Sequence, residues 1–338
     1  MALMRQLLTW LLAAAPALSL AQATAPAGSS VLADTIADRA ATAVFWADWD
    51  EVERLYTAAQ SDLQRGDDGG LLASCRFGLG VGHSYLDESQ AYQDARVAST
   101  LDWTRRRPES ALAHAVHLEA LVDQAWFIRG SGYAKTVSDQ RFAEFSAKLN
   151  EALAYTKAHS AVMGRDNYYI RPLLTLLRGM NVGVKQQLEI ARKGLRKDAA
   201  DECIYQSAID SLVPKWGGEP EQLESWIRES MKGLSEADAL KRYARLYNTA
   251  AHSDYEQSLF ETSYARWPLM RDGLRALISE SPKSRYWKGR LAYFACMVKD
   301  REVAVPALEA IEASPDFEAW DSTGQRAYQS CKRWALQS

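Results

Sequence analysis

An all-α fold, a tetratricopeptide-like solenoid of stacked antiparallel helix pairs, is what this sequence predicts, and three observations carry that expectation. Apolar residues recur at intervals of three and four through most of the chain, and no run of alternating β-branched residues is long enough for a strand. Pro282 and Pro315 stand 33 residues apart around a helix–turn–helix segment, close to the tetratricopeptide period of about 34 residues. The composition agrees. Of 338 residues, 47% are hydrophobic and 25% charged, enough apolar side chains for a sizeable core and too many charges for a multi-span membrane protein. The 40 basic and 43 acidic residues leave a formal net charge of −3, so no global electrostatic drive points to nucleic acid or anionic lipid.

Residues 1–21 open with one cation, Arg5, followed by an apolar run from Leu7 to Leu20 broken only by Thr9, Pro16 and Ser19. That is the layout of a secretory signal peptide. Ser19 and Ala21 place small residues for a cut after Ala21, and Ala21 with Ala23 offers a second cut. The run is short for a span and contains Pro16, so the segment reads as a removed address rather than a retained anchor. Residues 22–30 form an Ala/Thr/Ser/Pro/Gly-rich linker, and 31–338 the helical body. A periplasmic or secreted protein with no transmembrane anchor after cleavage is expected, in a compartment that permits disulfides.

Within the body, Asp48 is placed to cap a helix with Val52, Leu55, Tyr56, Ala59 and Leu63 on one face, running to Gly66. Ser110 caps a second, lined by Ala111, Ala115, Leu118, Leu121, Val122, Ala125 and Ile128, with Gly130 just beyond. Ser138 opens a third, followed by Phe142, Phe145, Leu149 and Leu153. Toward the C-terminus, residues 283–314 read as a helix, a Lys299-Asp300 turn and a second helix. Pro108-Glu109-Ser110 and Pro282-Lys283-Ser284 share a Pro-x-Ser start, where the missing proline N–H costs nothing.

The four cysteines are Cys75, Cys203, Cys296 and Cys331, and no pair has the C-x-x-C spacing of a redox or zinc site. Under the repeat phasing, Cys296 and Cys331 fall at nearly equivalent positions on the first helices of successive pairs, which makes them the expected disulfide. The pairing of Cys75 and Cys203 stays open.

Two segments go beyond generic helix pairs. They are Ala125-Trp126-Phe127-Ile128-Arg129-Gly130-Ser131-Gly132-Tyr133-Ala134 and Leu212-Val213-Pro214-Lys215-Trp216-Gly217-Gly218. Together with Trp103 and Arg107-Pro108-Glu109-Ser110-Ala111, they resemble the bacterial family catalogued as domain of unknown function 4034. The similarity runs from about residue 45 to about residue 235, ahead of the helix-pair repeats of about 236–338. The resemblance implies a helical, tetratricopeptide-like body and brings no established activity, cofactor or catalytic residue.

Read physically, Arg129-Gly130-x-Gly132-Tyr133 is a helix stop, and the Trp216-Gly217-Gly218 unit breaks the chain between a helix over 200–213 and one starting near Glu219. Trp126, Arg129, Tyr133, Lys215 and Trp216 are the candidate partner-binding residues, a groove in which aromatic faces and two cations hold a peptide or glycan. The competing role is structural, with the same side chains bracing loops and Arg129 satisfying carbonyls at its helix end.

No constellation calls for catalysis or a cofactor. His114 and His117 share a helix face with Glu119 and Asp123 nearby, but lack the H-E-x-x-H or Cys partners of zinc helices, so no metal is expected. Gly78-Leu79-Gly80-Val81-Gly82 follows no strand and lacks the Gly-Lys-Ser/Thr ending of a phosphate loop, which points instead to close helix packing or a bend. His83-Ser84 reads as an exposed polar turn, and Asp48/Asp50 as capping charges. Glu229-Ser230 and Glu280-Ser281 lack the Gly-Leu-Met-Gln-type segment of lytic transglycosylases. The expected function is an exported, non-catalytic scaffold that binds protein or peptide partners in the cell envelope. The alternative is a carbohydrate- or cell-wall-binding protein, or an enzyme acting on the wall, that uses its 11 Trp and 15 Tyr as stacking platforms.

Overall fold

The chain is seen in a computed structural model that describes residues 30–82, 89–130 and 137–336. The signal-peptide cut, most of the linker, His83-Ser84 and Tyr133 lie outside the described residues.

Local capping chemistry sets the helix starts. Ser30 caps α1 (Val31–Phe45) by accepting from the Ala33 N–H at 2.9 Å, and Asp48 caps α2 (Trp49–Ser61) through the Glu51 N–H at 3.1 Å. Helix α2 ends at Ser61, short of the expected Gly66. Asp62 turns extended there, and its carboxylate accepts from the Gln64 N–H and the Ser30 hydroxyl, so Leu63 leaves the helix face and is 52% exposed. After a loop closed by one bridge between Arg65 and Leu72 comes α3 (Ala73–Gly82). A Cβ on Gly80 would fall 2.1 Å from the Ala37 carbonyl oxygen, so the glycine-rich run serves the close α1–α3 contact.

Helix α4 (Gln90–Arg106), α5 (Ala111–Arg129) and α6 (Asp139–Met163) follow, the last two capped by Ser110 and Ser138 as the sequence indicates. Helix α5 is buried nearly all round because both its faces are apolar. Leu112, Ala113 and Val116 pack into an N-terminal cluster with Ile36, Leu55 and Phe77, while Leu118, Leu121 and Val122 belong to the large cluster that runs on to the C-terminus. It is the wall both cores share.

Beyond it lie α7 (Ile170–Gly179), α8 (Val184–Leu195) and α9 (Glu202–Ala208), the last extended by 3-10 turns at Ile209–Leu212 and Pro214–Trp216. A Glu219–Gln222 capping box then starts α10 (Pro220–Ser230), near the expected position. Helix α11 (Glu236–Ala250) runs into a π turn at Ala251–Tyr255, followed by α12 (Leu259–Thr262) and α13 (Trp267–Glu280). Ser284 caps α14 (Arg285–Met297), the left-handed Lys299 turns the chain into α15 (Arg301–Glu309), and α16 (Gly324–Leu336) closes the fold. Among the described residues the structure is helical with no strand, and α4–α5, α5–α6, α11–α13 and α14–α15 pack as neighbours, as stacked helix pairs require. No described helix is long and apolar enough to cross a membrane.

A repeat array touches only its neighbours, and here one loop does more. The Gly69 carbonyl accepts from Arg245 of α11 at 2.7 Å and from the Trp287 indole of α14 at 3.2 Å. Arg65 holds Glu202 of α9 by two bonds of 2.8 and 3.0 Å. Gly69 is in the left-handed region (φ 64°), and a Cβ there would collide with Ser281. The loop thus ties the N-terminal helices to α9, α11 and α14. Two disulfides reinforce the body. Cys296–Cys331 joins α14 to α16 as expected, and the pair the sequence left open, Cys75–Cys203, joins α3 to α9.

Candidate functional site

Four of the five residues singled out from sequence come together where α5, α7 and the Pro214–Trp216 turn end. Trp126 and Arg129 lie one turn apart on α5, which stops at Gly130 (φ 77°) with the Gly130 N–H bonded to the Trp126 carbonyl. The Pro214–Trp216 turn stops at Gly217 (φ 81°), and the next residue has to be glycine because a Cβ on Gly218 would sit 2.2 Å from the Leu212 backbone. These two stops deliver the Trp216 ring edge-on to Trp126, with centroids 5.4 Å apart at 90°. The Arg129 guanidinium lies 5.2 Å from the Trp126 centroid and 6.0 Å from that of Trp216. Lys215 Nζ is 6.0 Å from the Trp216 ring, and Arg178, from the end of α7, is 5.5 Å from it. Arg178 was not foreseen.

Among the described residues one ion pair, Arg178 with Asp210, serves the three cations gathered here. Arg178 has one carboxylate contact among those residues, Asp210 at 3.5 Å, and no hydrogen-bond partner at Nε; burial pulls its pKa down while Asp210 acts against that. Arg129 donates to the Gly130 carbonyl at 3.0 Å, and Lys215 Nζ to the Ser253 carbonyl at 2.7 Å. Asp254 takes the Lys215 backbone N–H, and Asp210 also accepts from the Ser253 hydroxyl. The Trp126 indole N–H is buried with no partner among the described residues. Three cations therefore converge on one indole in a chain of net charge −3, and the groups left without a partner among the described residues, Arg178 Nε–H and the Trp126 indole N–H, are donors. That arrangement favours a ligand rich in acceptors and negative charge.

The bracing role expected as the alternative is present too. Trp126 packs edge-on against Phe145 at 5.2 Å, and both it and Trp216 are half-buried against the large core. Trp103 belongs wholly to the other cluster, 1% exposed and stacked on Trp49 at 4.7 Å, so it offers no platform.

The remaining constellations are occupied by protein partners. His114 bonds Tyr155 at 2.5 Å and the Pro108 carbonyl at 3.0 Å, and His117 bonds Thr100 at 2.8 Å, with burial and then His114 pushing the His117 pKa down to about 4. Glu119 is held by Tyr168 and Arg171, and Asp123 by Arg96. A ring that sequence did not show links His252 of the π turn to Asp321 (2.9 Å) and Tyr286 (2.7 Å), Tyr286 to Asn248 (3.0 Å), and Asn248 to the buried Arg290 (2.5 Å). Arg290 returns to Asp321 at 2.6 Å, closing the circuit. Its members lie on α11, the π turn, α14 and the segment before α16, with no common spacing to reveal them. No family model, curated protein or solved structure matches the chain.

Proposed function

We propose that the protein is an exported, non-catalytic scaffold, related to the family of unknown function that its two Trp/Gly segments resemble, and that it binds an acidic segment of a protein or peptide partner in the cell envelope. Export is supported by the layout of residues 1–21 and by the two disulfides. The observation that carries the binding function is the convergence of Arg129, Arg178 and Lys215 on the Trp126–Trp216 pair with donors to spare. Half-buried Trp and Arg at the centre of a patch are the residue types that dominate binding energy. A neutral glycan is less well served, because sugar stacking needs an open ring face and the Trp216 ring is attended by three cations.

The test is affinity capture with crosslinking from envelope extracts, run beside an Arg129→Ala/Trp216→Ala variant whose helicity is verified by circular dichroism. A specific protein bound by the wild type should be held at least roughly 30-fold more weakly by the variant, as for a lost hot spot of about 2 kcal/mol. Equal capture by both proteins, or retention of wall glycan in place of protein, would overturn the reading.

A further inference from the structure

A cleft of about 410 Å³ opens between α2, α3, the turn entering α7, and α9, away from the Trp126–Trp216 pair. We propose that it is a separate binding site, for a small molecule without negative charge that has an apolar body and at least one hydroxyl or N–H donor. The size falls within the range of pre-formed ligand sites, and the Cys75–Cys203 bond fixes two of the walls to each other, so little ordering is needed on binding.

The body of the ligand is set by the apolar lining. Leu63 and Leu79 are among the few large hydrophobic side chains left exposed among the described residues, at 52% and 39%, and both line this cleft together with Leu71 and Ile204. The exclusion of negative charge follows from the wall, whose four acids outnumber its three bases, each base already holding a partner. Asp166 accepts from Tyr56 at 2.5 Å and from the Tyr168 N–H at 2.6 Å, and Asp201 from Asn167 and the Ile204 N–H. Glu202 is held by Arg65, Arg171 by Glu119 and the Gly78 carbonyl, Arg165 by Glu109. Lys197 donates to the Gly164 carbonyl, and Asp198 accepts from the Ala200 N–H. An anionic ligand would face these carboxylates and would have to draw a cation away from its partner, which is costly in a half-buried site. The donor is called for by the lining carboxylates of Asp166 and Asp198, which accept these bonds from uncharged groups alone and keep acceptor positions free. A ligand O–H or N–H reaching either carboxylate would add a charge-assisted hydrogen bond without breaking one.

N-phenyl-1-naphthylamine, neutral with one N–H, is the probe, and its sulfonated analogue 1-anilinonaphthalene-8-sulfonate is the charged comparison. The neutral dye should bind the intact, disulfide-bonded protein at one saturable site with blue-shifted emission. Ser207→Trp, which fills the cleft, should weaken it at least tenfold, and the sulfonate should displace it at least tenfold less effectively than unlabelled neutral dye. Should Ser207→Trp fail to fold, the exposed pair Leu63→Ser/Leu79→Ser serves instead, with a several-fold loss expected. Unchanged binding in the folded variant, or displacement by the sulfonate as effective as by the neutral dye, overturns the proposal. Because these variants leave Arg129 and Trp216 intact, their outcome is independent of the acidic-partner reading.

Discussion

Replacing Glu202 by glutamine is expected to destabilise the protein by about 3–5 kcal/mol at neutral pH, the usual cost of stripping one partner from a buried ion pair. Glu202 is 4% exposed and stands among Arg65, Arg242 (3.4 Å) and Arg245, with Glu280 3.7 Å from Arg245 and the Asp68 charge also felt at Arg65. Burial and the nearby Arg65 charge already press the Arg245 pKa down, so removing a negative charge leaves three crowded cations with too little compensation. Glutamine keeps the shape and loses the charge. The pH dependence follows from the carboxyl itself. Burial pushes its pKa up, but the charge and hydrogen bonds of Arg65, with Arg242 and Arg245 behind them, outweigh burial and hold it far below the ordinary range. A folded pKa below the unfolded value of about 4.3 stabilises the fold fully above that pH and progressively less as the pH falls through it. Asp321, held down to about 2 because His252 and Arg290 overcome its burial, acts in the same direction. Urea unfolding at pH 7 and pH 3.5 should therefore show a wild type that loses stability on acidification more steeply than Glu202→Gln, the two converging at low pH. Parallel loss, or a neutral-pH difference under 1 kcal/mol, would contradict this.

The second large effect belongs to the Cys75–Cys203 bond, whose residues are separated by 128 positions. In the chain-entropy model a loop of that size restrains the unfolded state by about 5 kcal/mol, against on the order of 4 kcal/mol for the 35-residue separation of Cys296–Cys331. Cys75→Ala/Cys203→Ala should thus lower stability by about 2–5 kcal/mol, and by more than Cys296→Ala/Cys331→Ala. It should also loosen the cleft, since α3 and α9 would then be joined mainly through the loop and its Arg65–Glu202 pair. Guanidinium unfolding of both variants settles the order, and a larger loss for the Cys296/Cys331 variant would show that local strain or residual structure, not loop closure, governs these bonds.

What the sequence made legible was local. Asp48, Ser110, Ser138 and Ser284 are helix caps because the chemistry that starts a helix spans three residues, and Cys296–Cys331 emerged because the repeat period brings those positions together. The end of α2 was misplaced because Asp62 answers to Ser30, a partner 32 residues away and invisible to periodicity. Cys75–Cys203 and the docking of the Gly69 loop on Arg245 and Trp287 have no repeat behind them. At the candidate site the glycine stops after Arg129 and Trp216 marked both segments, and packing of the large core brought them together. Arg178 was hidden among 40 basic residues, with no neighbouring signal to set it apart.

The central claim is that Trp126, Arg129, Arg178, Lys215 and Trp216 form a site for an acidic segment. Selection of binders from a random peptide display library on the intact protein tests it most directly, with Arg129→Ala/Trp216→Ala as the counter-selection. The account predicts recovered sequences enriched in Asp and Glu, binding that weakens as salt rises, and loss of binding to the folded variant. Binders that are neutral or basic, or that hold the variant as tightly as the wild type, would contradict it.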